Sequence, residues 1–458
     1  MKPLLTGLLL LLIFSAPAQK IIDSRVQEIV FRSVNVIPMD EERVISNQVV
    51  VIKNGIITAI GDPAKVKYGR QSTVIDATGK YLMPGLGEMH AHVPPIDDIE
   101  PMKEVLLLFA VNGVTTIRGM LGHPRHLELR EKLRSGEILG PGFITSGPSF
   151  SGSSVKSVDQ AIAMVRSQKT AGYDFLKLHP GLSKEIFSAL VKTAREVNIP
   201  FGGHVSFDVG IWRAIEARYA TIDHLDGFME GIVPGIDSIK EKETGLFGLY
   251  LDTLADTTLI PKLMKELHDN NISVVPTQAL AERWFAPDML PEKALKEPEM
   301  IYMKSDILKN WADTKANLMH NKNYSAARVS KYIDIRRKLI FECNKNGVQL
   351  LLGSDAPQIF NVPGFSIHHE LRYLVNAGLT PYEALRTGTV NVASFLNRAG
   401  ELGTLTVGAV SNIILLGGNP LADIRQTSNI EGVMLGSKWL PKAYIKNELK
   451  KLVKQPAK

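Results

Sequence analysis

Residues 83–92 read Met-Pro-Gly-Leu-Gly-Glu-Met-His-Ala-His, and they predict where the main fold and its chemistry begin. The Pro-Gly pair marks a turn, and the residues after it form a short strand from Leu86 to Ala91. Successive side chains on a strand point to opposite faces, so His90 and His92 project from the same face. Two imidazoles on one face have the geometry of metal ligands, although such a pair alone also occurs in ordinary buried positions.

The sequence after this strand alternates between helix-like and strand-like patterns. Amphipathic segments are followed by short β-branched segments, and Ser183 stands where a helix cap is expected. Counted from Leu86, the alternation gives eight strand and helix pairs that end near Asn397. This pattern is typical of an α/β fold of the (β/α)8 TIM barrel class, which we assign to residues 85–399.

Short β-branched segments flank this alternation on both sides. They fall in residues 26–84 and again in residues 400–450, and Asn54-Gly55 between two of them is a strong hairpin signal. We therefore expect the N- and C-terminal segments to pair into a small β-sandwich domain beside the barrel.

The spacing of the barrel strands indicates two insertions. His224 on the sixth strand and Asp355 after the eighth lie 131 positions apart, whereas two barrel units need about 60 residues. The surplus falls in residues 228–257 and 282–331, which both leave the carboxyl ends of strands. Because barrel active sites lie at those ends, we interpret the insertions as lid elements, with decorative loops as the alternative.

Several later strands end in residues that can bind metal or carry protons. These residues are Lys177, His204, His224 and Asp355. Function in a TIM barrel is concentrated at these strand ends, so the four side chains should meet the histidines of the first strand. Imidazole and carboxylate ligands suit Zn²⁺, and they are also compatible with Mn²⁺, Co²⁺ or Fe²⁺.

Short motifs accompany these residues. They are Met83-Pro84-Gly85-Leu86, His90-Ala91-His92, Gly203-His204, Asp223-His224, Gly353-Ser354-Asp355 and Glu401-Leu402-Gly403-Thr404. In this combination the chain resembles the amidohydrolase superfamily, and in particular the branch related to imidazolonepropionase that includes prolidase-like metal-dependent dipeptidases. The resemblance extends over nearly all of the chain after residue 18.

The resemblance implies a site with two divalent metal ions, for which zinc is the expected element. The implied ligands of the first ion are His90, His92 and Asp355. Those of the second ion are His204 and His224. A carbon dioxide-derived carbamate on Lys177 would bridge the ions, and Asp355 would also be catalytic, moving the proton of a metal-bridging hydroxide.

Electrostatics agree with a modified lysine. An ammonium group on Lys177 would face two dications, and burial in the apolar stretch 175–178 would disfavour its charge further. A neutral amine can capture carbon dioxide, and each oxygen of the resulting carbamate can reach one ion. The alternative is an unmodified lysine that extends to the barrel rim.

The implied activity is hydrolysis of an amide bond in a small-molecule substrate, either a dipeptide of the Xaa-Pro type or an N-acyl amino acid. A cyclic amide such as an imidazolone, or a lactone, is the alternative substrate. A catalytically silent metal-binding barrel protein is the alternative outside the enzymes. His123, Arg125 and Tyr173 lie near strand ends or in loops and are candidates for substrate binding, although each also fits a solvated or capping position.

Composition limits the other classes of function. The formal net charge is +6, but basic and acidic residues are interleaved, so nucleic-acid binding is not expected. Cys343 is the only cysteine, so no intrachain disulfide can form. The sequence is compatible with a homo-oligomer.

The first 18 residues predict export. Lys2 is followed by an apolar run from Leu8 to Phe14, and small residues precede Gln19, which is the pattern of a cleaved signal peptide. The run is well short of the ~20 residues that cross a bilayer. We therefore expect an exported protein, periplasmic or extracellular, without membrane association after cleavage.

Cleavage after Ala18 should leave Gln19 as the first residue of the mature protein, because small residues at the preceding positions fit signal peptidase. N-terminal mass analysis of the exported fraction measures this directly. Soluble cytoplasmic protein that retains Met1 would contradict the expectation.

Overall fold

A computed structural model describes residues 20–454. The predicted signal peptide, residues 1–18, lies outside the described residues. Between residues 20 and 454, no helix combines the length and the apolar composition needed to cross a membrane.

The strands are short, and we number them in chain order. They are β1 (Ile22–Asp23), β2 (Ile29–Val36), β3 (Ile45–Lys53), β4 (Ile56–Gly61), β5 (Thr73–Asp76), β6 (Tyr81–Pro84), β7 (Leu86–Ala91), β8 (Val114–Gly119), β9 (Gly142–Thr145), β10 (Leu176–Leu178), β11 (Phe201–Gly203), β12 (Thr221–Asp223), β13 (Ser273–Val275), β14 (Ile413–Leu416), β15 (Ile430–Leu435) and β16 (Lys438–Pro441).

The helices separate the central strands and extend both insertions. They are α1 (Glu100–Val111), α2 (Arg125–Ser135), α3 (Val158–Ala171), α4 (Lys184–Glu196), α5 (Ile211–Glu216), α6 (Phe228–Gly231), α7 (Glu241–Thr244), α8 (Ile260–Asp269), α9 (Gln278–Phe285), α10 (Pro291–Ala294), α11 (Ser305–Met319), α12 (Ala326–Lys345), α13 (Phe365–Asn376), α14 (Pro381–Gly388), α15 (Val390–Phe395) and α16 (Lys442–Lys451).

Strands from both ends of the described chain form one nine-stranded sheet. Its order is β1-β16-β15-β14-β6-β2-β3-β4, and β5 pairs with β2. The antiparallel pair β14 and β6 joins the C-terminal segment to the N-terminal one. The hairpin between β3 and β4 turns at Asn54 and Gly55, which have φ values of 54° and 77°, as a primed two-residue turn requires.

This sheet curls so that its inner face packs against itself. The rings of Phe31 on β2 and Trp439 on β16 lie 4.9 Å apart between centroids, although three strands separate β2 from β16 in the sheet order. A flat sheet would place those two strands nearly 20 Å apart, at about 4.8 Å for each step. The two faces therefore enclose an apolar core, as the predicted β-sandwich requires.

The central strands form two parallel sheets. One contains β7, β8 and β9, and the other contains β10, β11, β12 and β13. Parallel bridges at Ser146 and Phe175, and at Phe150 and Leu178, connect the two sheets. All the residues of β7, β8 and β10 to β13 are buried, as expected of strands covered by helices on one side and a core on the other.

The predicted eighth strand, residues 348–353, is not recorded as a regular strand. Leu350 forms a parallel bridge with Val274, and Leu352 accepts a hydrogen bond from the Met89 amide at 2.7 Å. The amide of Leu352 instead donates to the Thr387 carbonyl at the end of α14, which removes one rung from the ladder. The structure therefore shows an α/β fold with two parallel sheets bridged by this segment, rather than one uninterrupted eight-stranded sheet.

Helix α4 illustrates how the sequence places the covering helices. The Ser183 hydroxyl accepts a hydrogen bond from the Ile186 amide and caps the helix as predicted. Its apolar side chains recur at a spacing of three or four residues, so they form one stripe facing the core. The buried residues of this stripe include Phe187, Leu190, Val191 and Ala194.

Replacement of Trp439 by Ala should lower the free energy of unfolding by about 3–5 kcal/mol, because the indole fills the core between β2 and β16. Chemical denaturation measures the change. Val407→Ala, at a side chain that is 62% exposed, is the control and should change stability by less than about 0.5 kcal/mol. Equal stability of the two variants would contradict the packing of the chain ends into one core.

Candidate metal centre

The six predicted ligands meet at the carboxyl ends of the parallel strands. Four imidazoles lie in a row, with ring centroids 5.5 Å apart for His92 and His90, 4.4 Å for His90 and His224, and 4.5 Å for His224 and His204. Asp355 adds a carboxylate whose Oδ1 lies 2.7 Å from His92 Nε2 and 3.6 Å from His90 Nε2. The ligand atoms of His90, His92 and Asp355 all lie within 4.8 Å of one another.

Lys177 lies beneath this row. It is the central residue of β10 and has no exposed surface. Its Nζ lies 3.9 Å from Asp223 Oδ2, and that carboxylate oxygen lies 2.9 Å from His90 Nδ1. The lysine amine therefore lies close to the carboxylate that contacts His90.

Three of these side chains have buried polar atoms that are left without hydrogen bonds. Among residues 20–454, His92 Nε2, Lys177 Nζ and Asp355 Oδ1 have no hydrogen-bond partner. The 2.7 Å contact between the first and the last of these atoms does not have hydrogen-bond geometry. Burying polar atoms without partners is unfavourable. A metal ion coordinated by these atoms would remove that penalty, so the residues fit a metal centre.

In the other three imidazoles, Nδ1 already has a hydrogen-bond partner. His90 Nδ1 lies 2.9 Å from Asp223 Oδ2, and His204 Nδ1 lies 3.0 Å from Asp226 Oδ2. His224 Nδ1 lies 2.9 Å from the Thr277 hydroxyl. Histidine ligands usually donate from one ring nitrogen to such a partner and present the other to the metal. The arrangement therefore leaves Nε2 of each ring for coordination.

Burial keeps the ligands in the states that coordination needs. It lowers the pKa of His90 and of His224 well below the usual value, and it lowers the pKa of His204 to about 3. These imidazoles are therefore neutral at physiological pH, as a ligand must be. Burial also lowers the pKa of Lys177 to about 8, so an appreciable fraction of its amine is neutral near pH 7.

Aromatic and imidazole rings enclose one side of the row. Phe247, from the 228–257 insertion, stacks on His224 with centroids 5.1 Å apart and an interplanar angle of 18°. His179, two residues after Lys177, has its ring centroid 5.0 Å from that of His204. The first of these contacts places an inserted segment directly on a predicted ligand.

The three candidate substrate-binding residues make no hydrogen bond or ring contact with this row within residues 20–454. His123 follows β8 on a loop at the same end of the sheet, and Arg125 is the first residue of α2. Arg125 Nε donates to the Asp97 carbonyl, and its guanidinium pairs with Glu128. Tyr173 precedes β10 and so lies at the amino end of that strand, opposite the carboxyl ends that carry the ligands. The structure does not bring Tyr173 to the imidazole row.

Sequence reasoning missed Asp223, Asp226, Thr277 and Phe247 as functional residues. Asp223 had a detectable signal, since it is an acidic residue inside the buried strand Thr-Ile-Asp. Asp226 follows the predicted ligand His224 by two residues, which is a weaker signal. The other two depend on contacts between segments that are distant in sequence.

A second group of potential ligands is better explained as an ion-pair cluster. The ligand atoms of Glu297, Glu299 and His369 lie within 4.8 Å of one another. Arg283 Nη2 lies 2.5 Å from the Glu297 carboxylate and 3.8 Å from the Glu299 carboxylate. The guanidinium already pairs with both acids, and His369 also contacts Glu299, so each carboxylate has a partner without a metal ion.

Comparison with known proteins agrees with this geometry. The profile described as "Amidohydrolase family" matches residues 81–440. The chain belongs to the amidohydrolase family. It is accordingly a metal-dependent hydrolase that acts on amide bonds, and the resemblance noted from the sequence motifs is confirmed.

Solved structures similar to this amidohydrolase share its fold. A bottromycin amidohydrolase aligns with a TM-score of 0.69 at 18% identity, covering 92% of this chain and 89% of its own. A Xaa-Pro dipeptidase with bound methionine aligns with a TM-score of 0.64 at 19% identity, covering 90% and 99%. A prolidase complexed with N-methylphosphonate-L-proline aligns with a TM-score of 0.65 at 20% identity, covering 91% and 100%.

Sequence similarity to a curated relative is local. A dihydroorotase from Thermoanaerobacter sp. (strain X514) is 40% identical over 73 residues, which is 16% of this chain and 16% of the relative. The amidohydrolase thus shares only a short segment with that protein.

Asp223→Asn should weaken metal binding by about 10–100-fold, because the amide cannot reproduce the charged acceptor of His90 Nδ1. Metal titration of the purified variant, followed by elemental analysis, measures the affinity. The control is Asp334→Asn, whose side chain is 72% exposed and should leave metal binding unchanged. An Asp223→Asn protein that is folded and binds metal as tightly as wild type would contradict the assignment of His90.

Proposed function

We propose that this amidohydrolase is a binuclear enzyme that cleaves the amide bond of a dipeptide of the Xaa-Pro type or of an N-acyl amino acid. The observation that supports it most is the set of buried, unpartnered atoms on His92, Lys177 and Asp355. These atoms belong to three separate segments of the chain, and coordination would explain all of them at once.

We assign the ligands to two ions, with zinc as the expected element. The first ion would be held by His90, His92 and Asp355, and the second by His204 and His224. Lys177, as a carbamate, would contribute one oxygen to each ion. When bound, the two ions would polarise the scissile carbonyl and make water nucleophilic near neutral pH.

Asp355 is the residue we expect to move the proton. Its backbone amide donates to the His90 carbonyl at 3.0 Å, and this bond holds the Asp355 backbone against β7. Its Oδ1 is shielded from solvent and makes no hydrogen bond within residues 20–454. The carboxylate can therefore take a proton from the attacking water and pass it to the leaving nitrogen.

A cavity lies beside the second pair of histidines, although none of the six predicted ligands lines it. A cavity of about 900 Å³ is lined by Asp226 and Phe247, which contact His204 and His224, and by further residues of the 228–257 insertion. A cavity of this size accommodates a small molecule such as a dipeptide. Two structural neighbours, a Xaa-Pro dipeptidase and a prolidase, make Xaa-Pro dipeptides the first substrates to test.

Hydrolysis of a cyclic amide or a lactone is the second candidate. The local match to a dihydroorotase is the observation that favours it. We also propose that the two parallel sheets and residues 348–356 act as one (β/α)8 barrel, that the insertions limit access to the site, and that the protein is exported.

Metal-loaded protein should hydrolyse members of a panel of Xaa-Pro dipeptides and N-acyl amino acids. Cyclic amides and lactones are tested in parallel as alternative substrates. Lys177→Ala should lose both metal and activity, because the bridging carbamate cannot form, and short carboxylic acids should partly restore both. Amine detection measures turnover of the dipeptides and N-acyl amino acids, chromatographic loss of substrate measures turnover of the cyclic amides and lactones, and elemental analysis measures metal.

The matched control is Lys265→Ala, at a lysine side chain that is 72% exposed and should leave both quantities unchanged. Turnover of only the cyclic substrates would favour the second candidate. Two bound metals with no turnover of any compound would favour a silent metal-binding protein. Normal metal content and turnover in Lys177→Ala would contradict the carbamate.

A further inference from the structure

The backbone around the second pair of histidines has unusual conformations. His224 and Leu225 have φ values of 64° and 55°, and Thr277 has a φ of 46°. Residues with a Cβ rarely adopt this left-handed region, and the conformation persists only where the surrounding structure holds it. Something must therefore restrain both His224 and Thr277, which also form a side-chain hydrogen bond with each other at 2.9 Å.

Arg336 on α12 supplies that restraint. Its side chain is almost fully buried, with 1% exposure. Nη1 donates to the His224 carbonyl at 2.7 Å, and Nη2 donates to the Pro276 carbonyl at 2.9 Å, immediately before Thr277. Nε donates to Gln278 Oε1 at 3.0 Å, immediately after it. One guanidinium therefore fixes the ligand and the loop that carries its hydrogen-bond partner.

Tyr332 extends the same contact to the insertion. It lies one helical turn before Arg336, and its hydroxyl lies 3.4 Å from Arg336 Nη1. The hydroxyl donates to the Phe247 carbonyl at 3.0 Å, and the Phe247 ring stacks on His224. Two neighbouring side chains of α12 thus hold His224 through its backbone and through the ring packed against it.

We propose that Arg336 is a positioning residue that orients His224 for the second metal ion, with Tyr332 supporting it through Phe247. The inference rests on the two-ion assignment of the proposed function. Arginine suits this role because its planar fork donates to several acceptors in fixed directions, whereas a lysine ammonium is a single point of donation. Loss of the fork would release the His224 backbone and weaken the second site while the first site keeps its ligands.

Arg336→Met should lower the affinity for the second metal ion by about tenfold or more, in the range seen when groups that orient metal ligands are removed. The affinity for the first ion should stay within about twofold, because none of its ligands contacts Arg336. Stepwise zinc titration of metal-free protein resolves the two affinities without substrate. At limiting zinc, the kcat of Arg336→Met should fall while its KM changes little. Excess zinc should restore the kcat.

Lys315→Met is the matched control. Lys315 is also a fully buried cation, and it donates to three backbone carbonyls, those of Arg283, Trp284 and Ala286, away from the predicted ligands. Its replacement should destabilise the protein while both metal affinities stay within about twofold of wild type. Selective loss of the second ion in Arg336→Met alone would therefore separate positioning from general destabilisation.

Arg336→Lys covers the case in which Arg336→Met does not fold. It keeps the buried charge but cannot reach all the acceptors, so it should show the same selective loss to a smaller extent. Wild-type affinity for the second ion in the folded variant, or equal loss in Lys315→Met, would overturn the inference. A wild-type protein that binds only one ion would instead contradict the proposed two-ion site, before any variant is compared.

Discussion

The carboxyl ends of the parallel strands carry polar side chains into a place where water has little access, and every one of those side chains needs a partner. The structure meets this requirement in two ways. Asp223, Asp226 and Thr277 engage one nitrogen of three of the imidazoles. By contrast, His92 Nε2, Lys177 Nζ and Asp355 Oδ1 are buried and have no hydrogen-bond partner among the described residues. Because unpaired polar atoms are costly to bury, the unpartnered atoms mark where a bound ion would stabilise the structure most.

The sequence was sufficient for features that are encoded locally. A two-residue alternation places His90 and His92 on one face of β7, and an Asn-Gly pair with two positive φ values makes the hairpin of β3 and β4. Strand-end positions were also enough to nominate Lys177 as a partner of these histidines. Each of these predictions depends on residues close together in the chain and on the general geometry of strands and barrels.

Features that depend on distant segments could not be predicted in the same way. The eighth strand is irregular because the Leu352 amide bonds to Thr387, a partner 35 positions later that no local pattern identifies. Arg336 looks like an ordinary helix arginine in the sequence, and only the fold brings it to the His224 carbonyl. Phe247 lies in a segment recognised only as surplus length, and its role depends on packing against a strand end. In each case the missing information is a tertiary hydrogen bond or ring contact.

Specific contacts hold both insertions in place, and those of the first insertion reach the site. A loop of this length loses conformational entropy when it is ordered, and it stays in place only if contacts compensate for that loss. For residues 228–257, the compensation includes the stacking of Phe247 on His224 and the Tyr332 hydrogen bond. For residues 282–331, Lys315 donates to three carbonyls at the end of α9 and so ties α11 to α9. The first insertion shares contacts with a ligand, whereas the second is anchored away from it.

The charges around Lys177 explain why its amine can lose its proton more readily than an exposed lysine. Asp223 is the nearest carboxylate to Lys177, but its Oδ1 lies 3.3 Å from Arg118 Nη2, and its Oδ2 accepts from His90. Arg118 stays charged in any ordinary protein environment, so it already compensates much of the negative charge of Asp223. The Lys177 amine, 3.9 Å from Oδ2, therefore shares this carboxylate with Arg118, and the cost of burial outweighs the stabilisation that nearby carboxylates give its charge. Burial accordingly lowers its pKa to about 8. With this balance of charges an appreciable fraction of the Lys177 amine is neutral near pH 7, which is the form that carbamate formation requires.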